Sequence, residues 1–286
     1  MKDIHPTHPD TRVDPLSREW IPKTFDGFLT ELNHLASSCQ RQGSLAFFRG
    51  HSQRQWLLDS TFVRSCKKCI FGLPAYAKLS ERITASIELH RVLLTLFLLK
   101  YGLLVRPSSE LEALAEREGV DAWFEQMKRY QQYSQEDTSH LKGSNLIDWT
   151  QSFDVALYFA NDKRSGEGAL YICDTTATGK TLQTALVGEI LDKMNEVGNS
   201  GQALGIPLLF YPPKQIHSQR ANNQQAVYFA QMELRFDLET HWRLVEKKTE
   251  RETILVKLIL PSGTEEEARR YLANKGIIDS FIYPDS

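Results

Sequence analysis

The feature that most constrains this chain is where its two hydrophobic periods fall. Helix-type spacing dominates residues 26–133 and strand-type runs dominate 146–260, with one apolar run, Ser44 to Arg49, standing ahead of the helical block. That run ends at Gly50 and reads as a buried strand. A strand set so far ahead of its sheet partners predicts one α+β domain with a mixed or antiparallel central sheet. It also predicts a large helical insertion between the first and second core strands.

The individual expectations follow from local signals. Phe28, Leu32 and Leu35 fall at i, i+4 and i+7, predicting a helix over 26–42 that Gly43 terminates. A long helix is expected over 80–101, and two more over 109–118 and 121–133, the first opened by the Ser109–Glu112 capping box. The helical lobe is thus placed at about 65–135. Strands are expected at 146–150, 168–173, 225–234 and 253–260. A short helix should follow the first of them, with Ser152 better placed than Asp148 to cap it. A second capping box, Ser262 to Glu265, opens a final helix ending at Gly276, where Ile277 or Ile278 supplies the apolar contact. Residues 1–25, with prolines at 6, 9, 15 and 22, read as an extended arm or a surface-hugging lead-in ahead of a single domain over 26–286.

Composition excludes several classes. With 34 Lys and Arg against 36 Asp and Glu, the net charge is −2, so binding nucleic acid by bulk charge is not indicated. Four cysteines, Cys39, Cys66, Cys69 and Cys173, form no paired framework, which fits a reducing, cytoplasmic setting. The longest apolar run, Val92 to Leu99, falls far short of the ~20 residues that span a bilayer. Cys66 and Cys69 have metal-ligand spacing, yet no second such pair accompanies them, so no metal is expected.

Three polar segments carry the functional argument. The first is Phe47-Phe48-Arg49-Gly50 with Gln53, Trp56 and Arg64. The second is Leu146-Ile147-Asp148-Trp149-Thr150-Gln151-Ser152, followed by Val155-Ala156-Leu157-Tyr158-Phe159-Ala160. The third is Arg220 with Gln224, Ala226 and Tyr228, and the chain closes on Gly276 … Tyr283-Pro284-Asp285. In content and order these resemble the FRG domain family, named for its aromatic-Arg-Gly motif, over roughly residues 30–286. The sequence departs from that pattern at 139–145, where the family's run is one residue shorter and its arginine is replaced by Asn145, and at Ala226, where the family favours glycine.

A more distant resemblance links the chain to ADP-ribosyltransferases of the arginine/serine/glutamate type. Under it Arg49 takes the first motif, Asp148-Trp149-Thr150 the second, and Gln231-Met232-Glu233 the third. The resemblance implies a cleft for NAD, used to modify a macromolecular acceptor or simply hydrolysed, in a bacterial or phage setting such as antiphage defence or a toxin. Arg49, Asp148, Thr150, Gln224 and Glu233 would be catalytic. Arg49, Gly50, Gln53, Trp56, Arg64, Arg220 and Tyr228 would hold the dinucleotide. Arg49 would fork onto its pyrophosphate or ribose, Gly50 would let the backbone approach it, and Trp56 or Tyr228 would stack on a base. A carboxylate, Glu233 or Asp148, would stabilise positive charge as nicotinamide leaves. Two other readings stand beside this one. The chain is a non-catalytic module that binds a nucleotide signal or a partner protein, or Arg49 is structural and pairs with Asp148.

Overall fold

The computed structural model describes residues 1, 4–41, 45–84, 86–100, 141–174, 181–182, 208–210, 219–231, 234–249 and 253–284. The strands are β1 (Arg12–Val13), β2 (Glu19–Ile21), β3 (Ala46–His51), β4 (Leu146–Thr150), β5 (Gly168–Asp174), β6 (Thr181–Leu182), β7 (Leu208–Phe210), β8 (Ala226–Ala230) and β9 (Leu255–Leu260). They form one sheet in the order β1-β2-β9-β5-β3-β4-β8-β7-β6. The β2–β9 and β6–β7 pairs are parallel and the other pairs antiparallel, so the fold is α+β with a mixed sheet.

The sheet's centre is the apolar pair β5 and β9, every residue of which is buried. Strands with both faces apolar need cover on both sides. On one face lie α1 (Phe25–Arg41), α5 (Phe153–Asn161) and α8 (Glu265–Asn274), packed through Phe28, Leu32, Leu35, Ala156, Leu157, Ala160 and Leu272. On the other lies α7 (Leu238–Thr249), which drives Trp242 against Trp149 and Phe229. Side chains alternate across a strand, so Phe48 joins the first core and Phe47 the second. Each fully buried large apolar side chain contributes roughly 1.5–3 kcal/mol.

Part of the proline-bearing segment 1–25 joins the sheet. β2 lies beside β9 with Trp20 opposite Leu258, and β1 adds to it as an edge strand. The Glu31 carboxylate on α1 accepts from the Thr7 and His8 amides at 2.9 and 2.6 Å, fastening the approach.

Between β3 and β4 the described helices are α2 (Thr61–Cys69), α3 (Glu81–Thr84) and α4 (Ile87–Lys100). The single helix expected over 80–101 is therefore two, and those expected at 109–118 and 121–133 lie outside the described residues. α6 (Gln219–Asn223) precedes β8, and α9 (Asp279–Ile282) follows α8. β8 stops at Ala230, short of the expected 234.

Ser152 caps α5 by accepting from the Val155 amide at 3.3 Å, as its position predicts. Ser262 does not cap α8: that place falls to Thr264, whose hydroxyl instead donates to the Pro261 carbonyl at 2.7 Å. At the far end Gly276 takes φ +74°, Ile277 packs inward and Ile278 stays exposed.

Candidate functional site

β3 meets its two neighbours unequally. Against β5 it pairs at six positions, from Ala46–Asp174 to His51–Ala169, whereas against β4 one pair is formed, Phe48–Thr150. Past that pair the strands splay, and a cleft of about 950 Å³ opens there. It draws side chains from both faces of the sheet, which is how Arg49 and Asp148, directed to opposite faces by strand alternation, come to line one space.

The first, second and third polar segments converge on this cleft. Its wall includes Arg49, Gly50, Gln53, Trp56, Asp148, Thr150, Arg220, Gln224 and Tyr228. Two expected residues lie elsewhere or outside the description. Arg64 is one layer back on α2, its guanidinium 5.4 Å from the Tyr76 ring and bonded to Thr61 Oγ1 at 3.0 Å. Glu233 lies outside the described residues. Its expected neighbour Gln231 is not in the cleft but sealed beneath α2, bonded to Asp59, Ser60 and Phe236.

Arg49 bridges the splay. Its Nη1 donates to the Asp148 carbonyl, the kind of backbone acceptor a regular ladder would have occupied, and its Nε donates to His51 Nε2 at 3.0 Å. Among the described residues the guanidinium has no further hydrogen-bond partner, so donors remain for a ligand. Burial, partly offset by the Asp148 charge, lowers the Arg49 pKa to about 10, which leaves it protonated at pH 7. The structural pairing anticipated between Arg49 and Asp148 thus runs through the Asp148 backbone, while the Asp148 side chain is exposed.

Gly50 has a reason other than ligand approach. A Cβ there would sit 1.9 Å from the Ala156 carbonyl and 2.5 Å from the Ala160 amide, so its absence lets α5 lie directly on β3. Thr150 and Gln224 are likewise engaged. The Thr150 hydroxyl donates to the Gln224 carbonyl at 2.6 Å and accepts from the Ser152 amide at 3.0 Å. The Gln224 amide donates to the Ile282 carbonyl at 3.1 Å, and Arg220 lies 4.8 Å over the Tyr283 ring. Both therefore fasten one wall and the terminal α9 segment.

The aromatic wall is Trp56 stacked on Tyr76, with centroids 4.7 Å apart and planes 9° from parallel. Tyr228 is buried in β8 opposite Asp148, offering the cleft a small part of its ring. Sequence reasoning missed Tyr76, Asp162 and Lys163, which also line the cleft, and above all His51. The signal for His51 was its place two residues after Arg49, on the same strand face.

Cys66 is buried and Cys69 exposed on α2, and neither is in a disulfide. Among the described residues no group of three His, Cys, Asp or Glu side chains is placed to hold a metal ion. No helix among them is long and apolar enough to cross a membrane. No family model matches the chain, and neither a curated protein nor a solved structure matches it.

Proposed function

We propose that this cleft binds a nicotinamide dinucleotide, and that the chain is an FRG-type protein with an ADP-ribosyltransferase-like site. One observation carries the reading: three polar segments far apart in sequence line one cleft around a charged arginine whose donors are partly uncommitted. The cleft's volume lies at the upper end of the ~300–1,000 Å³ usual for small-molecule sites, which suits a dinucleotide.

Each role follows from chemistry. Arg49 presents a planar cation to the pyrophosphate, and Arg220 and Lys163 add positive charge along the wall formed by α5 and α6. The Trp56–Tyr76 stack offers an aromatic surface to a base. Asp148, the exposed carboxylate at the splay, takes the ribose hydroxyl and opposes positive charge developing as nicotinamide leaves.

A second reading, binding without turnover, draws on a specific observation. The Thr150 hydroxyl and the Gln224 amide are tied into the fold, leaving Asp148 to do most of the chemistry on its side. Incubating the purified protein with NAD and following nicotinamide release separates the two. Turnover abolished by Asp148→Asn and Arg49→Ala supports the enzyme. Saturable binding with no release supports the module, and neither binding nor release sinks both.

A further inference from the structure

We infer that His51 is the positioning residue of Arg49, holding the guanidinium plane so that its remaining donors face the cleft. The inference rests on the proposed dinucleotide site for its functional consequence, and on geometry for the contact itself.

An unrestrained arginine side chain has rotamer freedom that must be lost when it binds. Here two points fix the plane in advance. The Asp148 carbonyl holds Nη1, and His51 Nε2 holds Nε at 3.0 Å. A carbonyl alone would act as a pivot; the second acceptor stops rotation about it. His51 can serve because it cannot move. It is 5% exposed, its backbone pairs with Ala169 of β5, and its ring meets the edges of Trp56 and Tyr171 at 6.0 and 5.4 Å.

Accepting from Arg49 requires a lone pair on Nε2, so the imidazole is neutral with its proton on Nδ1. Its surroundings enforce that state. Burial acts first, then the charges of Arg49 on β3 and Arg64 on α2, with Lys257 of β9 adding less; they outweigh the opposing pull of the Trp56 backbone and hold the His51 pKa well below its usual value. Tyr171 of β5, the other titratable ring against it, is held neutral in turn by burial.

Three proteins test this: wild type, His51→Phe, which keeps the ring shape and loses the acceptor, and His51→Gln, whose amide oxygen replaces Nε2. The first readout needs no ligand. Solvent exchange of the Arg49 Nε–H, followed by NMR, is expected to quicken about tenfold or more in His51→Phe and to recover in His51→Gln. The second is the Kd for NAD, expected to weaken about tenfold in His51→Phe and to recover in His51→Gln. Equal exchange and equal Kd in His51→Phe and wild type overturn the inference. Should His51→Phe not fold, nitrogen–nitrogen coupling across the hydrogen bond in wild type decides: its presence supports the contact and its absence overturns it. If wild type fails to bind NAD, the proposed function falls, while Arg49 exchange still judges His51.

Discussion

Two polar clusters lie near each other in this molecule and behave in opposite ways. Beneath α2, Asp59 and Lys67 form an ion pair with 1% and 3% of their side chains exposed. Gln231 completes it, taking the Ser60 amide at 2.7 Å and donating to Asp59 at 3.2 Å and to the Phe236 carbonyl at 2.8 Å. Every hydrogen of the Gln231 amide has an acceptor. Around Arg49, by contrast, two contacts are made, and further donors are left on a side chain that lines the cleft. The closed cluster joins two segments of chain; the open one leaves valences for something else. Side-chain chemistry alone does not separate them, since both pair a cation with polar partners. Closure of the network does.

The sharpest test of that contrast is Asp59→Ala. It strands the Lys67 charge in a sealed pocket and is expected to cost about 3–5 kcal/mol. Denaturant unfolding measures it, and NAD binding by the protein that remains folded should be unchanged. Arg49→Ala comes next and should show the reverse balance. Losing the bond to the Asp148 carbonyl removes about 1–3 kcal/mol of stability, while ligand affinity disappears. If Arg49→Ala costs as much stability as Asp59→Ala and no ligand is found, the open cluster is structural too.

The smallest effect is a pH dependence confined to the open cluster. The His51 pKa is depressed in the folded state by burial first and then by Arg49. The unfolded chain, with a histidine pKa of about 6.5, therefore binds more protons below that pH. Stability from this residue is fully kept above pH ~6.5 and declines below it, by at most about 1.4 kcal/mol per pH unit. The slope is read as the difference between wild type and His51→Gln across pH 5–7. Coincident slopes would show that His51 does not titrate on unfolding.

Much of the fold could be read from the sequence where a local signal was strong. Leu146 to Thr150 emerges as a strand with the bounds expected of it, and Ser152 caps the helix after it, because a buried apolar run and an Asx/Ser-type cap are both local devices. The N-terminal strands were illegible for the converse reason. β1 and β2 have two and three residues, flanked by prolines, and gain their order from β9 rather than from any preference of their own. The Ser262 box failed because Thr264 sits at the turn, where the Arg164 Nη2 donates to its hydroxyl at 3.0 Å.

The site divides in the same way. Residues named in three segments, Arg49, Asp148 and Gln224 among them, line one cleft. What each does was not legible, because Gly50, Thr150 and Gln224 answer to neighbours that only folding supplies: Ala156, Ser152 and Ile282. Glu233 lies outside the described residues, and the charge it was expected to supply is assigned here by proposal to Asp148.

The strand order carries one more implication, for time rather than for structure. β5 has no neighbour next to it in sequence: Ala46 pairs with Asp174 and Cys173 with Leu255, so each of its edges closes a long loop before any ladder bond rewards it. No hairpin can seed the middle of this sheet. Refolding from denaturant should accordingly be slow, on the order of milliseconds to seconds or longer, and until β9 docks, a strand that ends fully buried stands with an edge bare to other chains.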